Sequence, residues 1–180
     1  GRCGALFAFQ RAGLNPDLIS LSKGLTGGFL PMGVTLSSKR ISEGFLGEDP
    51  KQTFWHGHSF TANPLGCAAA NASLDLLEKF PHKYLDFESR HLPHLQKIVK
   101  DSKVEFPRIT GTIAAFNIKV KGQKGYLSSV GKIMKACTLK LGVFIRPLGN
   151  VVYLMPPLCI TDDELEKCYF AIQQGLNSLS

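Results

Sequence analysis

Leu18-Ile19-Ser20-Leu21-Ser22-Lys23-Gly24-Leu25-Thr26-Gly27-Gly28 is the stretch on which the reading of this chain turns. A short apolar run with a β-branched residue reads as a buried strand. The lysine at its exit is held by the sheet, and the glycines beyond it let other groups come close. Desolvation there disfavours the ammonium form and makes the neutral amine available as a nucleophile, suited to forming an imine with an aldehyde. Set against this is the plainer reading of a solvated lysine that happens to follow a strand. The rest of the chain decides between the two.

The 180 residues are 44% hydrophobic and only 19% charged, enough for a real core and too apolar for a disordered chain. Twenty-one basic against 14 acidic residues leave a net charge of +7. Lys97, Lys100 and Lys103 stand singly among other residues, and no nucleic-acid-binding motif accompanies them. The charge reads as solubility with some attraction for anionic ligands. Five cysteines, an odd count without CxxC spacing, argue against a disulfide framework or a zinc site. Reduced thiols in a cytoplasmic protein are the simplest account. No stretch has the apolar length of a membrane span. The chain opens Gly1-Arg2-Cys3 with no initiator methionine and reads as the C-terminal piece of a longer protein.

Residues 1–62 are rich in glycine and loops, with strands expected over Leu18–Ser22 and Gly33–Ser37 and a short helix over Arg40–Phe45. At Asn63-Pro64 the pattern changes to a cap followed by proline at the first helical position, opening a helix that Pro81 ends. A second helix is expected from His82 to Lys100, kinked at Pro93. Beyond it a compact α/β unit reads as a strand Ile113–Val120 and a helix Leu127–Leu141 capped by Gly142. Strands Val143–Pro147 and Val151–Met155 follow around a Gly149-Asn150 turn. Thr161-Asp162-Asp163-Glu164 is a capping box for the last helix.

Two further groups of residues bear on chemistry. In Trp55-His56-Gly57-His58-Ser59-Phe60-Thr61-Ala62-Asn63-Pro64 a loop with a hydroxyl residue runs into a helix N-terminus. Free N–H groups, a serine hydroxyl and the positive end of the helix dipole can together bind phosphate; a plain helix cap is the alternative. His56 and His58, with no nearby Cys, Asp or Glu, do not make a metal ligand set. Arg146 lies in the apolar stretch Phe144-Ile145-Arg146-Pro147. Its guanidinium suits a carboxylate, supplied either by a substrate or by an internal salt bridge.

Taken together, these segments resemble the C-terminal part of the class III pyridoxal-phosphate aminotransferases. The resemblance covers nearly the whole chain in order. It is carried by Gly1-Arg2-Cys3-Gly4, by Pro16-Asp17 with the strand and Lys23-Gly24-Leu25-Thr26-Gly27-Gly28, by His56 to Cys67, and by Gly142 to Pro147. The run Arg146 to Pro157, with His56 to Phe60, points within the class to biotin synthesis. There the amino acceptor is 8-amino-7-oxononanoate, the product 7,8-diaminononanoate, and the donor S-adenosylmethionine or lysine. The resemblance implies an α/β fold of type I, with pyridoxal 5'-phosphate as cofactor. It places the end of the large domain at 1–62, a linking helix at 63–80 and a small α/β domain at 81–180. Lys23 would be the catalytic lysine that binds the cofactor covalently. His58 and Ser59 would hold the cofactor phosphate, across a homodimer interface from the lysine they serve. Gly57 would touch substrate, and Arg146 would grip the substrate carboxylate. Serine stands at Ser59 where most relatives have threonine, which keeps the hydroxyl. The family's phosphate loop, its stacking tyrosine and the aspartate that pairs with the pyridine nitrogen are expected upstream of Gly1. Two other readings remain: a class III enzyme for another amine, of the ornithine or γ-aminobutyrate type, and an inactive piece that only binds its missing N-terminal half.

Overall fold

The computed structural model describes residues 1–122 and 125–179. The chain forms two compact units, one made of Gly1–Arg11 with the residues from His82 onward, the other of Ala12–Pro81. The opening segment ends in the single helical turn α1 (Ala8–Arg11).

In the unit Ala12–Pro81, β1 (Leu18–Leu21) and β2 (Val34–Ser37) pair antiparallel, Leu18 opposite Ser37 and Leu21 opposite Val34. β1 is not the buried strand its composition suggests. Leu18 is 59% exposed, because the strand's one hydrogen-bonded neighbour is β2 and the two-stranded sheet has little to pack against. After β2 come a helical turn, α2 (Lys39–Ser42), and short 3₁₀ turns at Glu43–Phe45 and Pro50–Gln52. Then comes α3 (Pro64–Lys79), whose start follows the sequence signal: the Asn63 side chain accepts from the Gly66 N–H at 2.7 Å, and Pro64 occupies the first turn. The 3₁₀ turn Lys23–Thr26 packs on α3, where the Ser73 hydroxyl donates to the Gly24 carbonyl at 3.2 Å.

The other unit holds the core. α4 (His82–Leu85), α5 (Phe87–Ile98), α6 (Val130–Lys140) and α7 (Asp162–Asn177) surround a sheet of order β3-β4-β5. Its strands are β3 (Val104–Thr110), β4 (Ile113–Ile118) and β5 (Val151–Leu154), all antiparallel. Phe87, Ile118, Met134, Val152, Leu165, Ile172 and Leu176 are each at most 1% exposed. Here the central strand reads as a near-continuous apolar run, which is why Ile113–Ile118 is legible from composition alone. β3 is not legible, because Pro107 sits in it. The structure accommodates that proline at a bulge between Glu105 and Arg108, on an edge strand where a missing N–H costs no ladder bond. The expected long helix 82–100 breaks at Asp86 rather than at Pro93, which remains inside α5. Thr161 and Glu164 form the full capping box at the start of α7, with Glu164 N–H donating to Thr161 Oγ1 and Thr161 N–H to the Glu164 carboxylate.

The expected strand at Val143–Pro147 is absent as a paired strand. Leu148 and Val151 exchange hydrogen bonds of 2.9 and 3.0 Å around Gly149-Asn150, so the turn forms, but the pairing goes no further back than Leu148. Pro147 has no N–H to donate, which ends the ladder there. The segment stays extended, with Val143 and Ile145 buried and Phe144 and Arg146 exposed. The opening segment belongs to this unit: Thr112 N–H donates to Arg2 O at 2.9 Å, and Glu88 joins the Gly111 N–H at 2.7 Å to the Arg11 guanidinium at 2.6 Å.

Among the described residues no helix is long and apolar enough to cross a membrane.

Candidate active site

Lys23 follows β1 and opens the 3₁₀ turn. Its backbone is left-handed, φ +52°, a conformation costly for a residue with a side chain and met chiefly where surrounding structure imposes it. The imposing contacts are local. The Lys23 carbonyl accepts from the Gly28 N–H at 3.3 Å. Thr26 is 3% exposed, and its hydroxyl donates to Leu30 O at 2.5 Å. Thr26 thus shapes the loop that carries the lysine. Its signal in the sequence is a single hydroxyl residue amid glycines. The amine of Lys23 has no hydrogen bond or ion pair among the described residues, and the side chain is exposed, not desolvated as the strand reading expects. The reason is the one given for β1: the short two-stranded sheet leaves its exit open.

The loop Gly57–Ala62 leads into α3. His58 N–H donates to Thr61 Oγ1 at 3.1 Å, and Thr61 N–H donates back to His58 O at 3.0 Å. Phe60 N–H donates to His58 Nδ1 at 3.2 Å. An imidazole that accepts at Nδ1 carries its proton on Nε2, so His58 presents a donor outward. The N–H and hydroxyl of Ser59 have no protein partner among the described residues, and Ser59 lies four residues before the helix cap Asn63. Ala62, at φ +54°, is a second non-glycine in the left-handed region, at the junction of loop and helix. The region offers Ser59 N–H, Ser59 Oγ–H and His58 Nε2–H as donors near the positive end of α3, a set that fits a phosphate dianion. These donors fit the phosphate of pyridoxal phosphate, and the free amine of Lys23 fits its aldehyde. A Cβ built on Gly57 would meet nothing within 4 Å, so space is open beside that backbone.

Arg146 lies in the other unit, on the extended segment after α6. It is exposed and has no carboxylate partner among the described residues. Of its two expected partners, the internal one is therefore not found among the described residues. The unit Ala12–Pro81 leaves large apolar side chains in the open, Phe29 83%, Trp55 81% and Phe60 77% exposed.

The model of the family "Aminotransferase class-III" matches residues 1–176. The chain is 49% identical over 179 residues to the adenosylmethionine-8-amino-7-oxononanoate aminotransferase of Synechococcus elongatus, covering 99% of this chain and 42% of that protein. The crystal structure of the enzyme of the same name from Methanocaldococcus jannaschii superposes with a TM-score of 0.81 at 33% identity, over 96% of this chain and 43% of that one. An amine transaminase from an uncultivated Pseudomonas species, solved in its PLP-bound internal aldimine form, gives a TM-score of 0.88 at 28% identity, over all of this chain and 42% of that one. The chain thus spans about two-fifths of the length of the relatives it matches. Its fold is the α/β fold of type I transaminases, here over that share. A match that runs unbroken from the opening Gly1-Arg2 to the last turn of α7 leaves one conclusion: the chain belongs to the class III aminotransferase family.

Proposed function

We propose that this chain is the C-terminal part of a pyridoxal-phosphate-dependent transaminase of biotin synthesis. The reaction is amino transfer to 8-amino-7-oxononanoate, giving 7,8-diaminononanoate, with S-adenosylmethionine or lysine as donor. The observation that carries the reading is Lys23: an amine without a partner, on a left-handed backbone at the exit of a strand. An amine without an ion-pair partner is available to react, and left-handed non-glycine backbones cluster at active sites. The substrate is supported by the names of relatives up to 49% identical.

When bound, pyridoxal phosphate supplies an electron sink for the carbon that bears the transferred amine. Lys23 Nζ would hold the cofactor through its aldehyde carbon and, once the substrate amine takes that place, would move the proton at the substrate's amine-bearing carbon. Ser59, through its N–H and hydroxyl, and His58, through Nε2–H, would hold the phosphate. The hydrogen bonds of Thr61 and Phe60 to His58 keep that loop in shape. Gly57 leaves room for substrate, and Arg146 offers its fork to the substrate carboxylate. In the complete protein, residues 1–62 end the large domain, 63–80 form the linking helix and 81–180 the small domain. The apolar surface around Phe29, Trp55 and Phe60 is covered by the remaining, N-terminal portion and by a second copy in a cytoplasmic homodimer, which brings His58 and Ser59 to the partner's cofactor.

The test is turnover by the complete protein loaded with pyridoxal phosphate. It compares 8-amino-7-oxononanoate with the oxo acids of ornithine- and γ-aminobutyrate-type exchange. Preference for the amino ketone with S-adenosylmethionine or lysine as donor supports the proposal. Preference for another acceptor overturns the substrate while leaving the family intact.

A further inference from the structure

We propose that Asn150 is a positioning residue for Arg146; the inference rests on the reading of Arg146 as the substrate-carboxylate site. Arg146 lies on a segment with no ladder of its own. From Phe144 to Pro147 the backbone makes no hydrogen bond to protein among the described residues. Val143 and Ile145, 7% and 3% exposed, plug into the core, and by the alternation of an extended chain they turn Phe144 and Arg146 to the opposite side. What remains to fix the guanidinium is the anchoring of the two ends. The near end is tied by Val143 N–H to Thr138 O at 3.0 Å, at the close of α6.

The far end is tied by Asn150. The residue is 4% exposed, and both polar atoms of its side chain are used. Oδ1 accepts from Gly125 N–H and Nδ2 donates to Ile118 O, both at 2.9 Å, while the Asn150 carbonyl accepts from Ile118 N–H at 2.8 Å. One residue thereby joins the end of β4, the 3₁₀ turn Gly125–Leu127 and the turn that begins one residue after Pro147. α6 closes on the same turn from the other side: a Cβ on Gly131 would stand 2.4 Å from Gly149 O and 3.0 Å from the Pro147 Cβ. The amide at position 150 supplies a donor and an acceptor on two atoms of one short planar group; aspartate would set a carboxylate against the Ile118 carbonyl. A bidentate fork depends on direction, so releasing this anchor is felt four residues earlier in the chain as lost carboxylate recognition.

The experiment measures kcat/KM of the complete, cofactor-loaded protein for the amino ketone as free acid and as methyl ester. The readout is the ratio of the two. Arg146→Ala should collapse the ratio. Asn150→Ala should lower it on the order of tenfold, through KM for the acid. The double variant should fall no further than Arg146→Ala alone, because both act on one interaction. If Asn150→Ala does not fold, Gly131→Ala pushes the same turn while giving α6 a better helix former, and should lower the ratio likewise. A ratio unchanged in both variants, or acid and ester losing rate in equal measure, overturns the positioning role while the Arg146 reading stands. A ratio unchanged in Arg146→Ala overturns that reading, and this inference with it.

Discussion

Gly149→Ala and Gly142→Ala place the same methyl group on backbones of nearly the same conformation, φ +61° and +76°, in surroundings that differ completely. Left-handed strain costs an alanine about 1–2 kcal/mol at either position. At Gly142, just past α6, the nearest atom to the new Cβ is the flexible Lys167 Nζ at 3.5 Å, an ordinary contact. At Gly149 the new Cβ falls 1.8 Å from Gly125 O, 2.6 Å from Gly125 C and 2.8 Å from Tyr126 Cα, all backbone. Relief requires the 3₁₀ turn Gly125–Leu127 to move, adding about 1–3 kcal/mol of overpacking. It also stretches the 2.9 Å bond from Gly125 N–H to Asn150, worth about 0.5–1.5 kcal/mol. Gly149→Ala should therefore destabilise by about 3–6 kcal/mol and Gly142→Ala by about 1–2 kcal/mol. Urea unfolding followed by near-UV dichroism reports mainly on this unit, since all four tyrosines, Tyr84, Tyr126, Tyr153 and Tyr169, lie in it and Trp55 of the other unit is 81% exposed. Equal losses for the two variants would refute the collision, and with it the claim that the turn after Arg146 is clamped.

Other outcomes are as definite. His91 is fully buried, accepting from the Tyr169 hydroxyl at Nδ1 (2.8 Å) and donating from Nε2 to Thr112 O (3.0 Å). Burial foremost, then the charges of Arg90 and His94, hold its pKa below the usual imidazole value, against the opposing pull of the Thr112 carbonyl. His94, stacked on Tyr169, is lowered mainly by burial too. Groups whose folded-state pKa is depressed contribute stability above the unfolded value, about 6.5, that is lost as pH falls. The urea midpoint should drop between pH 7.5 and 5, above the range where Glu88 titrates, and His91→Gln with His94→Gln should flatten the slope; a flat profile for the natural chain would contradict this. Leu95→Ala should cost about 2–5 kcal/mol and Leu92→Ala under about 1 kcal/mol in the same unfolding assay, since one is 5% and the other 49% exposed on α5. Thr161→Ala removes the cap of α7 and should cost about 0.5–2 kcal/mol, read by the same melt.

Legibility in the sequence followed how local the controlling physics is. Asn63-Pro64 and Thr161 to Glu164 set helix starts through side chains that bond their own first turn, and both are where composition puts them. Gly149-Asn150 announced a turn, but whether the arm before it joins the sheet depended on Pro147 and on α6 pressing at Gly131. β3 was hidden because its proline is tolerated only at a bulge on an edge, a fact of sheet order that no window of sequence holds. At the site, the lysine, the glycines and the hydroxyl loop stood out. The left-handed backbones of Lys23 and Ala62, the buried Thr26 and the bond from His58 to Thr61 did not, since each depends on a fold around it.

The central claim is that Lys23 Nζ is the atom that joins this protein to its cofactor. Borohydride reduction of the complete protein in the presence of pyridoxal phosphate, followed by peptide mass mapping, tests it at one nitrogen. The expected result is a phosphopyridoxyl label on the peptide containing Lys23, absent in Lys23→Ala. A label on a different lysine, or undiminished labelling in Lys23→Ala, would contradict it.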